Sequence, residues 1–284
     1  MAKPRRPARR LARALTLLGV LALGGALRFA PLPASRDAGH WVFTDGDSYY
    51  HLRRVEQTIQ ARGRVPMFDP ELSYPEGQKL QWHGGYDLLV AGAVVVACGT
   101  TPTRPCLESV AILSTPLLGL AALLCLFALG RAIGGPRLGL LGAALFAVYP
   151  FAAGSAALGH VDHHVLEPLF VATWLALLVR GRPLAAGLVA GLSLACFPTA
   201  PWPAAVTLAA LLGLRVVEGA ASRVRPLPFA LALLAVAWPV VHTGAFAETY
   251  EPSAVSRLHL VAFACAAAAA LWVELVLRAV RLPR

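Results

Sequence analysis

Charge is scarce in this sequence. Only 14% of its 284 residues are Asp, Glu, Lys or Arg, 57% are hydrophobic, and the mean hydropathy is +0.64. A chain so poor in charge cannot clothe itself in polar surface, which excludes a water-soluble globular enzyme. Acidic residues are the rarer sign, 15 against 25 basic ones, for a net charge of +10. In a soluble protein that excess would point to nucleic acid. In a chain this apolar it reports the basic bias of cytoplasmic loops, so no nucleic-acid partner is expected. Cysteine is sparse as well. Cys125, Cys196 and Cys265 sit in apolar runs, and only Cys98 and Cys106 lie where they could be oxidised, so there is no disulfide framework. Long polar stretches are missing except for one. At ~20 apolar residues per crossing, the length allows roughly eight spans and a single sizeable loop.

What is present is a series of apolar runs with ordered charge between them. The N-terminus, MAKPRRPARRLAR, carries six basic residues ahead of the run Leu15 to Leu32 and shows no clear small-residue cleavage site, the pattern of a signal-anchor that starts inside. A polar stretch from about Pro33 to Glu108 follows, rich in Gly, Pro, aromatics and charge. Further apolar runs cover Ser109 to Gly130, Leu138 to Ala156, Val165 to Val179, Leu184 to Phe197, Trp202 to Leu214, Leu227 to Val241 and Leu258 to Leu277. The segment Leu88 to Cys98 is too short to cross unaided and decides the topology. If it stays on the outer side, the inner loops and N-terminus hold 16 basic residues against Glu218 and Glu274, a net of +14, and the outer side holds 9 basic and 13 acidic ones, a net of −4. If it spans, most of those arginines move outside, against the positive-inside rule. The expectation is an all-α multi-span protein of the cell (plasma or inner) membrane with about eight helices and both termini cytoplasmic. Its segments are a basic tip and first span (1–32), a long external loop (33–108), and a seven-helix bundle (109–284).

With that topology, all six aspartates and all eight histidines fall at the outer face or an outer helix end. Three clusters stand out. In TDGDSYYHLRRVEQ, Asp45, Asp47 and His51 precede or begin a helical stretch. Asp47 would cap it, and capping is by itself a sufficient reason for a carboxylate there. In GHVDHHVLEPLF, His160, Asp162, His163 and His164 crowd the mouth of a span that carries Glu167 in its first turn, and such crowding is costly without a partner. Carboxylates with an imidazole suit Mg²⁺ or Mn²⁺, whereas three histidines alone would favour zinc. In FAETYEPSAVSRL, Glu248 and Glu251 occupy an outer loop whose plain reading is a solvated turn.

The strings DGDSYYHLRRVEQ, VPMFDPELSYPEG and QWHGGYDLL together resemble the first external loop of the oligosaccharyltransferase catalytic-subunit family, especially its archaeal and bacterial single-subunit members. GHVDHHVLE is similar to that family's second acidic motif in its Asp-x-His form. The order matches too: one span, a long loop with the first motif, two spans, then the second motif at the start of another. The resemblance runs from residue 1 to about 180 and implies a GT-C-like fold. No Trp-Trp-Asp motif and no C-terminal soluble domain follow, so the sequence resembles the N-terminal half of such an enzyme. A second polypeptide could supply the rest.

The resemblance implies the following roles. Asp47 matches the metal-binding, acceptor-engaging aspartate of the first motif, with Asp45 beside it, and Asp162 and His164 match the pair of the second. Asp47 and Asp162 are thus the catalytic candidates; Asp47, Asp162, His164 and Glu248 the metal candidates, with Glu251 an equal register for Glu248. Asp45, His51, His163, Arg53, Arg54 and Arg257 are the substrate-side candidates. For the three arginines, clamping a pyrophosphate competes with simple interfacial snorkelling. The implied reaction is metal-dependent transfer of a glycan from a polyprenyl-(pyro)phosphate carrier to an asparagine amide in an acceptor polypeptide, at the external face and in contact with membrane lipid. The alternatives are a polyprenyl-phosphate-dependent glycosyltransferase with a non-protein acceptor, and a truncated or non-catalytic membrane subunit.

Overall fold

The computed structural model describes residues 6–219 and 224–281. Part of the basic tip (Lys3, Arg5), Arg223 and Arg284, which entered the charge count above, lie outside the described residues. The chain divides into two compact units, one formed by 1–64 and 87–176, the other by 65–86 and 177–284.

In the first unit α1 (Arg6–Phe29) packs on α4 (Arg104–Gly134) and α5 (Pro136–Val148). It touches them through a narrow stripe in which Gly24 and Arg28 are buried, while Leu11, Leu15 and Leu18 face outward as lipid-facing residues do. At Gly24 an added Cβ would sit 2.6 Å from the Leu123 Cδ1, so a larger residue there would push that side chain aside. α4 has 31 residues, about 46 Å at 1.5 Å per residue, enough to cross a bilayer even with Pro116 inside it. It turns into α5 at Gly135 and Pro136, and the two helices approach closely where Gly130 faces Gly139.

α2 (Gly46–Gln60) follows a two-residue antiparallel pairing of Arg36–Asp37 with His40–Trp41. It buries Ser48, His51, Leu52, Val55 and Thr58, the i, i+3, i+4, i+7 spacing of one helix face. α3 (Gly85–Cys98) begins in the next polar stretch, and Cys98 is joined to Cys106 at the start of α4, so the two cysteines left open to oxidation are paired. After the short α6 (Pro150–Gly154) the chain makes a 3-10 turn, His163–Val165, and enters α7 (Leu166–Val179).

In the second unit α8 (Pro183–Ser193), α9 (Pro201–Glu218), α10 (Pro226–Thr243) and α11 (Arg257–Arg281) accompany the stretch 65–86, where Phe68–Asp69 pairs with Gln78–Lys79. α8 packs on α10 through Gly187 and Gly191, a GxxxG spacing. A Cβ on Gly187 would lie 2.3 Å from the Phe229 carbonyl oxygen. Arg215 on α9 and Glu274 on α11 form a largely buried bidentate pair, 2.8 Å at both contacts.

Every apolar run read from the sequence forms a helix. Five helices among the described residues are long and apolar enough to cross a membrane: α1, α4, α9, α10 and α11. α5, α7 and α8 have 13, 14 and 11 residues. The polar stretch 33–108 is more structured than a loop, since it holds α2, α3 and both hairpins.

Candidate active site

The first unit brings the first two acidic clusters together. The Thr44 amide donates to the Gly159 carbonyl at 3.1 Å, and the Val161 amide donates to Ser48 Oγ at 3.0 Å. His160 Nδ1 meets Asp45 Oδ2 at 2.9 Å. Gly159, at φ +104°, makes this approach possible, because a Cβ there would lie 2.8 Å from the Thr44 methyl. The N-terminus of α2 is therefore laced to the segment that carries Asp162.

The cap of α2 differs from expectation. Asp45 is the N-cap, its Oδ1 accepting the Ser48 amide at 2.8 Å, while Asp47 lies in the first helical turn with an exposed side chain. Asp47 was expected to cap, but the helix begins at Gly46, two residues earlier than that cap would set. Burial works against the Asp45 carboxylate, but its hydrogen bonds with Ser48 and the charge of His160 hold its pKa below the ordinary value. Asp47 is left without the capping role that would have explained it.

Asp162 caps the 3-10 turn by accepting the His163 amide at 2.5 Å. Its Oδ1 also lies 2.8 Å from His163 Nδ1 and 3.5 Å from His51 Nε2, and its Oδ2 is 3.7 Å from His164 Nε2. Burial penalises the charged carboxylate, yet the hydrogen bonds from His163 and His51 outweigh it and keep the pKa far below the usual range. His51 shows the reciprocal effect. Burial disfavours its cation, but bonds to Asp162 and Asp87 dominate and raise its pKa to about 9. His164 pairs with Glu167 Oε1 at 2.9 Å. That bond raises its pKa against the opposing effect of burial, helped by the charges of Asp162, Glu167 and Asp47.

Two groups of side chains have the reach to share one cation: His51, Asp162 and His163, and His163, His164 and Glu167, with ligand atoms in each group within 4.8 Å of one another. Carboxylate oxygen and imidazole nitrogen from two chain segments, α2 and residues 162–167, suit a divalent ion. A separate cavity of about 1090 Å³, lined by Ile59, Arg62, Leu88, Val95 and Leu107 among others, shares no residue with this cluster.

Of the arginines, Arg53 is half-buried on α2. Arg54 departs from both readings made of it, since snorkelling and phosphate clamping each need the guanidinium at solvent. It is fully buried, with an ion pair to Asp87 Oδ2 at 2.8 Å. Glu248 and Arg257 pair with each other in the second unit, and Glu251 accepts hydrogen bonds from the Ser253 amide and hydroxyl there. Asp87 was not singled out from the sequence. An aspartate opening the apolar stretch GYDLLVAGAVVVAC was the available signal, because a carboxylate at the head of such a helix needs a partner.

A helical bundle with membrane-length helices and two acidic motifs laced at one site defines a multi-span membrane protein of GT-C-like fold. The chain belongs to the family described as "Oligosaccharyl transferase STT3, N-terminal", which it matches over residues 28–241. It is 28% identical over 209 residues to the dolichyl-monophosphooligosaccharide–protein glycotransferase AglB of Haloferax volcanii, covering 65% of this chain and 20% of that protein. The structure of the Archaeoglobus fulgidus oligosaccharyltransferase AglB with an inhibitory peptide and a dolichol-phosphate aligns at TM-score 0.82 and 19% identity, covering 97% of this chain and 35% of that one. The crystal structure of an oligosaccharyltransferase from the same organism with Zn and sulfate aligns at 0.80 and 19% identity, over 91% and 35%. The chain thus spans about a fifth of the curated relative and about a third of each solved chain.

Proposed function

We propose that this chain carries the acidic-motif part of a metal-dependent oligosaccharyltransferase that moves a glycan from a polyprenyl-(pyro)phosphate carrier to an asparagine amide nitrogen. One observation carries the reading. The Thr44 amide bonded to the Gly159 carbonyl and the Val161 amide bonded to Ser48 Oγ hold the Asp47 turn against the Asp162 turn, and on this reading the two motifs, more than 110 residues apart, serve one site. The relatives act with dolichyl-linked oligosaccharides by name, and one solved neighbour holds a dolichol-phosphate and a peptide.

Asp162 and His164 hold the cation, which we take to be Mg²⁺ or Mn²⁺. When bound, it supplies Lewis-acid stabilisation to the departing phosphate oxygens. Asp47, exposed and not engaged in capping, accepts hydrogen bonds from the acceptor amide N–H groups. That weakens amide conjugation and makes a poor nucleophile competent. Asp45 keeps the α2 terminus in register beside it. In this reading α5, α7 and α8 cross together with their flanking residues, giving eight spans, while α3 stays external on the placement of the arginines rather than on its length, with both termini cytoplasmic and the site external. The Cys98–Cys106 disulfide, placed on the external side, supports that orientation, because such bonds persist in oxidising compartments. The test is glycan transfer to a sequon peptide by Asp47→Ala and Asp162→Ala variants inserted normally in membrane. Loss in both supports the reading, and full activity in both overturns it.

A further inference from the structure

Asp87 opens α3 and is fully buried, and each of its carboxylate oxygens has its own partner on α2. Oδ2 meets Arg54 at 2.8 Å and Oδ1 meets His51 Nδ1 at 2.5 Å. His51 and Arg54 are three residues apart, which places them on one helix face, so a single carboxylate bridges both. The ion pair with Arg54 balances the buried charge, and the second carboxylate oxygen is the one that meets the imidazole. A ring that donates Nδ1–H to a carboxylate presents an Nε2 lone pair when neutral. Here Nε2 lies 3.5 Å from Asp162 Oδ1 and 3.2 Å from His163 Nδ1.

We propose that Asp87 is a positioning residue of the cation site, orienting His51 so that its Nε2 becomes a ligand beside Asp162. This rests on the reading of the Asp162 cluster as a cation site. The arrangement is carboxylate, imidazole, cation, in which the outer carboxylate fixes the tautomer and the ring plane and raises the ligand's basicity. Arg54 belongs to it as the partner that holds the carboxylate still. Neither residue touches substrate. The buried pair of Asp87 and Arg54 would suffice to pin α3 to α2, but that function makes no use of the His51 bond, and the two roles are separable by experiment.

The measurement is Mn²⁺ affinity of the full chain purified in detergent, read from the electron paramagnetic resonance signal of free Mn²⁺, so that no turnover is required. Asp87→Asn is expected to raise the Mn²⁺ Kd about 10- to 100-fold. His51→Gln, which leaves the Asp87–Arg54 pair intact, is expected to weaken binding by a similar factor. Adding Asp87→Asn to His51→Gln is expected to weaken it no further. A wild-type Kd in His51→Gln overturns the positioning role even if Asp87→Asn fails to fold. An equal loss from Asp87→Asn with and without His51 overturns it too. Asp162→Ala separates the two levels: if it abolishes Mn²⁺ binding while the other variants bind normally, only the role of Asp87 falls, and if it leaves binding intact, the cation-site reading falls with it.

Discussion

Asp45 and His160 meet at 2.9 Å across 115 positions of sequence, and this contact, with the neighbouring backbone bonds, is what makes one site of two motifs. Asp45 has a second task as the cap of α2. Replacing it with alanine is expected to cost about 1 kcal/mol of stability, the usual worth of an N-cap, and to lower glycan transfer in part. Asp45→Ser, which still caps but cannot pair with His160, should recover the stability. Thermal unfolding followed by fluorescence size-exclusion chromatography separates the two effects.

Asp47 should behave in the opposite way. Exposed and free of the capping role, it is expected to tolerate Asp47→Asn with unchanged thermal stability, while transfer falls at least 100-fold. Parallel melting and transfer assays check it, and a large stability loss with activity retained would contradict the assignment.

Much of this was legible in the sequence, and each failure has a physical cause. Apolar runs marked the helices because burial from water or exposure to lipid needs only composition over a window. The two acidic motifs were legible because their ligand types and spacings are local. The cap falls on Asp45 rather than Asp47 because it is set by the helix register, here two residues earlier, which TDGD leaves open. Arg54 was misplaced for a different reason. Its burial depends on Asp87, which is 33 positions away and reaches it only through the packing of α3 on α2. Likewise, nothing local in the sequence says that Asp162 would face His51, since their contact exists only once Ser48 has bonded to Val161.

Removal of the cation should be reversible. Chelation with EDTA is expected to abolish transfer, and added Mn²⁺ or Mg²⁺ to restore it, because the ligands stand on α2 and on the capped turn before α7, which the Thr44–Gly159 and Val161–Ser48 hydrogen bonds tie together. Circular dichroism in EDTA should match that of the loaded protein. A cooperative loss of helix on chelation would instead make the ion a structural element.

The Arg215–Glu274 pair ties α9 to α11 with both groups largely out of solvent. Removing one partner leaves the other charge buried and uncompensated, so Glu274→Leu alone is expected to destabilise the chain by about 3–5 kcal/mol. The double change Arg215→Met with Glu274→Leu removes both charges and should recover most of that loss. Monodisperse yield and melting temperature in detergent report it. Equal damage from the single and double variants would show that the guanidinium has a task beyond the pair.

Close helix contact in the second unit provides a sharper test, because space there is known at the level of single atoms. Gly187→Ala would drive a Cβ to 2.3 Å from the Phe229 carbonyl oxygen, and Gly191→Ala would meet Val236 at 2.5 Å. The obstruction at Gly187 is backbone and cannot rotate away, so α8 must separate from α10 along its length, at a cost of about 1–3 kcal/mol. At Gly191 the obstruction is the Cβ of Val236 on α10, which is fixed to its backbone as well, but at 2.5 Å the overlap is slightly less, so the loss should be somewhat smaller. Gly213→Ala, on α9 with open space around it, is the control and should be neutral or slightly stabilising, since alanine favours helix. Melting temperatures in the order Gly187→Ala, Gly191→Ala, wild type, Gly213→Ala, from lowest to highest, are the expected outcome. A neutral Gly187→Ala would mean that α8 and α10 do not meet at this face.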